Sequence, residues 1–193
     1  METRIGAFST VVALVLALGA CSSSITVQSD YNPEVDFSKL RTFAWLPLPA
    51  QPGGDPRTQS GILAGRVRRA TVADLKAKGF REVAPAAAPD FYVAYQAAID
   101  QRVSVRSTPT HFGYHGWWGP PVAMGSQTTV HQYELGTLII DIVDRERDDL
   151  IWRGSGQAKM QRNDRRTSSE RDRDIAEAVT AILKEFPPST ASR

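Results

Sequence analysis

Gly136-Thr137-Leu138-Ile139-Ile140-Asp141-Ile142-Val143-Asp144 is followed by the polar run Arg145-Glu146-Arg147-Asp148-Asp149 and then by Leu150-Ile151-Trp152-Arg153-Gly154. In the first block Leu138, Ile139, Ile140, Ile142 and Val143 are apolar on both faces, which fits a strand inside a sheet and not one at its edge. The five polar residues are a turn. The block after them, Leu150 to Met160, is strand-like again, so the pair reads as an antiparallel hairpin. Three-residue spacing on a strand sends Asp141 and Asp144 to opposite faces. Asp144 is therefore expected to start the turn, and Asp141 to pair with Arg153 across the hairpin.

Working outward, further strands are expected at Ile25–Gln28, Thr42–Leu46, Asp90–Tyr95 and Thr128–Tyr133, the last separate from Thr137–Val143. Two helices complete the pattern. One is expected to start at Asp55-Pro56, with Asp as cap and Pro at the first helical position. Leu63, Val67, Ala70, Thr71 and Leu75 form its inward stripe, and Gly79 is its stop. Asp74 falls in that stripe and is expected at the edge of the buried face or paired with an arginine. The second helix opens on a capping box, Thr167 with Glu170. It carries Ile175, Ala178, Val179, Ile182, Leu183 and Phe186 at helical spacing and is ended by Pro187-Pro188. Strands between two amphipathic helices imply an α+β fold: a two-layer sandwich, with a mixed or antiparallel sheet and both helices on one face.

The N-terminus carries a different kind of signal. Ala7 to Leu18 is apolar apart from Ser9 and Thr10, too short to span a membrane, and leads into Leu18-Gly19-Ala20-Cys21. That tetrapeptide resembles the lipobox of bacterial lipoproteins, in which the cysteine sulfur receives a diacylglyceryl group and signal peptidase II cuts just before it. Cys21 is the only cysteine in the chain. Ordinary cleavage near Ala20 would leave its thiol exposed in an oxidising compartment, where it can cross-link or oxidise; lipidation removes that hazard. The expected organisation is a signal peptide over 1–20, a lipidated tether over 21–24, one domain over 25–188 and a disordered tail over 189–193. Two or three acyl chains would hold the protein to the membrane permanently. Ser22 follows the cysteine, and the absence of aspartate there points to export to the outer membrane, with the domain in the periplasm.

Successive blocks of the mature chain resemble one bacterial envelope family. They are Tyr31 with Asp36-Phe37, Thr42-Phe43-Ala44-Trp45, Lys78-Gly79-Phe80, Pro89-Asp90-Phe91, Gly136 to Asp144, Trp152-Arg153-Gly154 and Phe186-Pro187. The family is the one catalogued as domain of unknown function 4136, whose members are mostly lipoproteins. The resemblance implies an α/β lipoprotein domain and brings no activity, cofactor or catalytic residue with it.

Chemistry is sparse. The net charge of +2 excludes the large basic excess of a nucleic-acid binder, and export removes nucleic acid as a partner. His111 and His115 are four apart, but they sit among glycines and prolines, in a loop and not on a helix. No metal or other cofactor is therefore expected. Gly154-Ser155-Gly156 lacks the spacing of a nucleophile elbow. An envelope hydrolase, the last-ranked reading, would need Ser155 or Asp141 to meet a histidine in a cleft.

Two surfaces remain as binding candidates. Phe112, Tyr114, Trp117 and Trp118 crowd the loop 111–121, where exposed aromatics could stack on a sugar, enter a membrane interface or anchor a protein. The alternative is that the loop folds back on its own sheet. Arg162, Arg165 and Arg166 could contact an anion, although Asp164, Glu170, Asp172 and Asp174 interleave with the basic residues there. The expected function is a lipid-anchored, non-enzymatic binding domain whose partner is an envelope protein or polymer. A receptor for a small apolar or sugar ligand at the aromatic loop is the alternative.

Overall fold

The computed structural model describes residues 25–46, 55–110, 125–160 and 165–188. Six strands form one sheet: β1 (Thr26–Tyr31), β2 (Thr42–Trp45), β3 (Arg81–Glu82), β4 (Phe91–Thr110), β5 (Gly125–Asp144) and β6 (Leu150–Met160). Two helices, α1 (Gly61–Ala77) and α2 (Ser168–Leu183), lie side by side over one face of it. The strand order is β1-β6-β5-β4-β2-β3, so β5 is interior, as its apolar faces require. β1, β6, β5 and β4 pair antiparallel, whereas β2 runs parallel to both β4 and β3. The sheet is therefore mixed, and the fold is α+β in two layers.

The core is aromatic. Phe186 is the hub, its ring centroid lying 5.2 Å from Trp152, 5.5 Å from Phe80, 5.9 Å from Phe91 and 6.1 Å from Phe37. Val67 and Leu75 from α1, Val179, Ile182 and Leu183 from α2, and Ile140 and Ile142 from β5 complete it, all fully buried. Edge-on ring pairs of this kind add to the burial energy of each side chain.

The structure corrects the sequence reading at the start of α1, in the lengths of β4 and β5, and at the end of α2. Asp55-Pro56 begins a turn, closed by the Thr58 amide donating to Asp55 O at 2.9 Å; α1 starts later, capped by the Ser60 hydroxyl. Asp55 is held in that turn by Arg57, which leaves Ser60 to cap the helix. Asp74 lies at the edge of the buried face, as expected, with Lys78 at 3.4 Å. Thr128–Tyr133 and Thr137–Val143 are one strand, β5, and the strand expected at Asp90–Tyr95 begins at Phe91 and runs on as the 20-residue β4. Finally, α2 ends at Leu183, three residues before Phe186.

Elsewhere the expected local structure is present. The Thr167–Glu170 capping box forms at both ends. Asp144 Oδ1 accepts from the amides of Glu146 and Arg147, both at 2.8 Å, and so starts the β5–β6 turn. Gly79 sits just past α1 at φ +92°, a conformation that glycine adopts without cost.

Candidate functional site

The residue blocks that carry the family resemblance are joined to one another in the fold. Asp90 Oδ2 accepts from the amides of Arg41 (2.8 Å) and Thr42 (2.7 Å) and from the Thr42 hydroxyl (2.9 Å), which clamps the start of β4 to the start of β2. Burial pushes the Asp90 carboxyl up, but those donors outweigh it and hold it below the usual range. Lys78 donates to the carbonyls of Leu183 and Phe186, the latter at 2.7 Å, placing a cation at the C-terminus of α2. Asp36 caps the short 3-10 turn Phe37–Lys39, and its hydrogen bond from the Ser38 hydroxyl keeps its carboxyl low. In Gly154 there is no room for a side chain: a Cβ would lie 2.3 Å from Trp152 Cη2 and 2.6 Å from Ile182 Cγ2. These residues build the fold, and none lines a cleft.

Asp141 and Arg153 meet as expected, in a bidentate pair with Nε–Oδ1 2.6 Å and Nη2–Oδ2 2.8 Å, on the sheet face away from the helices. The carboxylate raises the Arg153 pKa, and Gln96 Nε2 approaches Asp141 Oδ2 at 3.4 Å. With both oxygens engaged, Asp141 has little capacity left as a base. His131 lies ten positions from it along β5, or about 33 Å of strand, and Ser155 of β6 pairs with Ile139 of β5.

Of the sequence candidates, Cys21, Phe112, Tyr114, Trp117, Trp118 and Arg162 lie outside the described residues, as do His111 and His115. Arg165 is exposed just before α2. Arg166 is bound to Asp174, and Arg66 reaches Asp172 at 2.6 Å, so acids of α2 neutralise much of this basic face. Among the described residues no cluster of three metal-ligating side chains forms, and no helix is long and apolar enough to cross a membrane. An open groove of about 530 Å³ is lined by Trp45, Arg68, Glu82, Val83, Ala84 and Pro85. Its polar rim is paired with itself, Arg68 to Glu82 at 3.1 Å and Lys76 to Glu82 at 3.5 Å.

The feature that stands apart from the core is a ribbon that the sequence reading did not single out. β6 stops opposite Glu134, and β2 leaves the side of β4 after Val93. From the pair Arg102–Tyr133 out to Thr110–Gly125, β4 and β5 run, among the described residues, as a two-stranded ribbon of nine paired positions, about 30 Å long. Arg57 closes the helical layer at its base, reaching Glu134 at 2.9 Å. Beyond that ion pair, the sheet face that carries the core residues Val93 and Ile140 continues into Val103, Val105 and Val130. These are 60%, 62% and 57% exposed, and Val105 is directly opposite Val130. The other face presents Arg102, Arg106 and His131, all exposed, with Lys159 stacked over Tyr133 at 4.8 Å to the ring centroid. The alternation Arg102-Val103-Ser104-Val105-Arg106-Ser107 was the available signal: it is the period of a strand with one apolar face.

An open-sheet α+β domain with a projecting hairpin is the class of protein that these observations define. The family model described as domain of unknown function DUF4136 matches residues 27–188, and the chain belongs to that family. No curated protein matches it. Among solved structures it is similar to a PDZ domain protein from Parabacteroides distasonis, with 16% identity and a TM-score of 0.52. The match covers 89% of this chain and only 38% of that one. A DUF4136 family protein from Bacteroides thetaiotaomicron aligns with 18% identity and a TM-score of 0.45, over 86% of this chain and 97% of that one. A PelC dodecamer from Paraburkholderia phytofirmans aligns with 11% identity and a TM-score of 0.43, over 83% and 96% of the two chains.

Proposed function

We propose that this protein is a non-enzymatic contact module of the bacterial envelope, anchored through a lipid on Cys21 and exposing the β4–β5 ribbon to an envelope partner. The observation that carries the reading is the ribbon itself. An isolated two-stranded hairpin is at best marginally stable in water, and contiguous apolar side chains on an exposed face mark an interaction surface. Here three valines extend a core-facing stripe beyond the helices that would cover it. Most of the motif residues are in the core or in caps, and Asp141 is committed to Arg153. The anchor rests on the lipobox-like Leu18-Gly19-Ala20-Cys21.

Two experiments test the two halves. Cys21→Ala should move the protein from the membrane fraction to the soluble fraction; continued membrane attachment would remove the anchor. A photo-crosslinker at Val105, in intact cells at normal expression, should give a discrete adduct that is absent when the probe sits at buried Ile140. Absence of an adduct at Val105 would refute the ribbon as the contact element.

A further inference from the structure

We infer that the ribbon lies along the bilayer that carries the anchor, its helix-free face set on anionic lipid headgroups through Arg102 and Arg106. The inference rests on the lipid anchor of the proposed function and adds a second contact, on the face opposite the valines.

Topology supplies the first argument. Thr26, the first residue of β1, pairs with Gln157; Gln157 pairs with Thr137, and Thr137 with Ala98. β1 therefore begins at the end of the sheet from which the ribbon projects, and Cys21 precedes Thr26 by five residues. Five residues span at most about 18 Å, so a lipid on Cys21 keeps the base of the ribbon within that distance of the bilayer surface. A ribbon pointing straight at the bilayer would carry Arg106, eight residues past Ala98, at least about 8 Å beyond the anchored residue, toward hydrocarbon in which a charged side chain is costly. Lying over on one face keeps it at the headgroups.

Shape and charge select the face. On the valine side, α1 and α2 would hold the sheet off the surface by a helix diameter, about 10 Å. The opposite face carries neither helix. It presents Arg102, Arg106 and His131, all exposed, with Lys159 over Tyr133 at the base of the ribbon. Asp100 is the acid on that face among residues 100–107 and 128–133, and neither arginine has an ion-pair partner among the described residues. Guanidinium forks match phosphate oxygens, and cations beside an anionic leaflet are attracted to it within about a Debye length. The far end of the sheet has the other sign. In the β5–β6 turn Glu146, Asp148 and Asp149 outnumber Arg145 and Arg147, so an anionic surface attracts the ribbon and not the turn. With the arginines on the bilayer, Val103, Val105 and Val130 face away from it, toward the envelope partner.

The test uses the lipidated full chain in vesicles of phosphatidylcholine with phosphatidylglycerol, compared with phosphatidylcholine alone. Lipid occupies the Cys21 sulfur, so Ser104→Cys on the cationic face and Val105→Cys on the valine face each accept a single thiol-reactive fluorophore. Nitroxides on the lipid headgroups should quench the probe at position 104 more than the probe at position 105 in the anionic vesicles. That difference should vanish in neutral vesicles and in high salt. Arg102→Gln with Arg106→Gln should lower the contact equilibrium roughly thirtyfold, while the protein still floats with the vesicles on its lipid. Both arginines are exposed, so the fold tolerates the change. A floating protein whose probe at position 104 is unquenched in anionic vesicles, or quenched equally in neutral ones, would overturn the inference and leave the anchor standing. Stronger quenching at position 105 would put the valine face on the bilayer and also overturn it. Failure of the protein to float would remove the anchor, and the inference with it.

Discussion

Gly154→Ala tests the packing that holds the central hairpin against α2. The added methyl would stand 2.3 Å from Trp152 Cη2, 3.0 Å from Trp152 Cζ2 and 2.6 Å from Ile182 Cγ2. None of these atoms is the free end of a flexible surface chain: Trp152 is 1% exposed and Ile182 fully buried, and the indole is wedged against Phe186. Relief must come from off-rotamer side chains or from a shift of β6, and overpacking of that kind costs about 1–3 kcal/mol. For a domain of this size each kcal/mol lowers Tm by about 2–4 °C, so a fall of roughly 4–8 °C is expected near the middle of that range. Trp152→Phe should make room, and because Trp152 Nε1 meets no acceptor among the described residues, it sacrifices no hydrogen bond. A double-mutant cycle read by thermal melting should therefore show a coupling of at least ~0.5 kcal/mol between the two substitutions. A Gly154→Ala protein that melts with wild type, or a strictly additive cycle, would refute the reasoning.

Other perturbations follow from the same contacts. Asp90→Ala should cost about 1–3 kcal/mol at neutral pH, because two strand-edge amides lose their acceptor. The Asp90 carboxyl is held low in the fold, so its contribution is present above the unfolded value near 3.9 and is lost as pH falls through the lower folded value; denaturant titrations should show the gap to wild type closing below about pH 4. Lys78→Met should lower stability by about 2 kcal/mol in urea unfolding, since the carbonyls of Leu183 and Phe186 lose a charged donor. Thr167→Ala breaks the capping box of α2 and should cost about 1 kcal/mol by the same measurement. Val103→Ser with Val105→Ser should leave Tm within about 2 °C of wild type, because both side chains already face water in the single chain.

How legible these features were depended on the range of the interactions behind them. The β5–β6 hairpin, the capping box and the Asp141–Arg153 pair depend on residues close in sequence, and local periodicity reveals such pairs. The start of α1 was misplaced because Asp55 and Pro56 have the chemistry of a helix N-terminus, yet Arg57 draws Asp55 into a turn tied to Glu134, a contact 77 positions away. The length of β4 and β5 was missed for a related reason. Gly136 and the polar residues before it look like a break, and only the partner strand, in unbroken register from Phe91 to Thr110, carries the backbone through. The ribbon escaped attention because its valines were too few and too polar in setting to resemble a core. The structure shows that they are not core. The motif blocks were visible as motifs, but their roles as clamp, cap and ring cluster depend on contacts such as Lys78 with Phe186, which no spacing announces.

Hydrogen exchange on the ribbon amides, residues 102–107 and 128–133, tests the central claim most directly when the full-length protein in native membranes is compared with the same protein purified and diluted. If the ribbon is the contact element, these amides exchange fast in the dilute protein and become protected in the membrane, while core amides of β5 such as Ile140 and Ile142 do not change. Equal rates in both settings would contradict the account and make the ribbon an uncovered extension of the sheet.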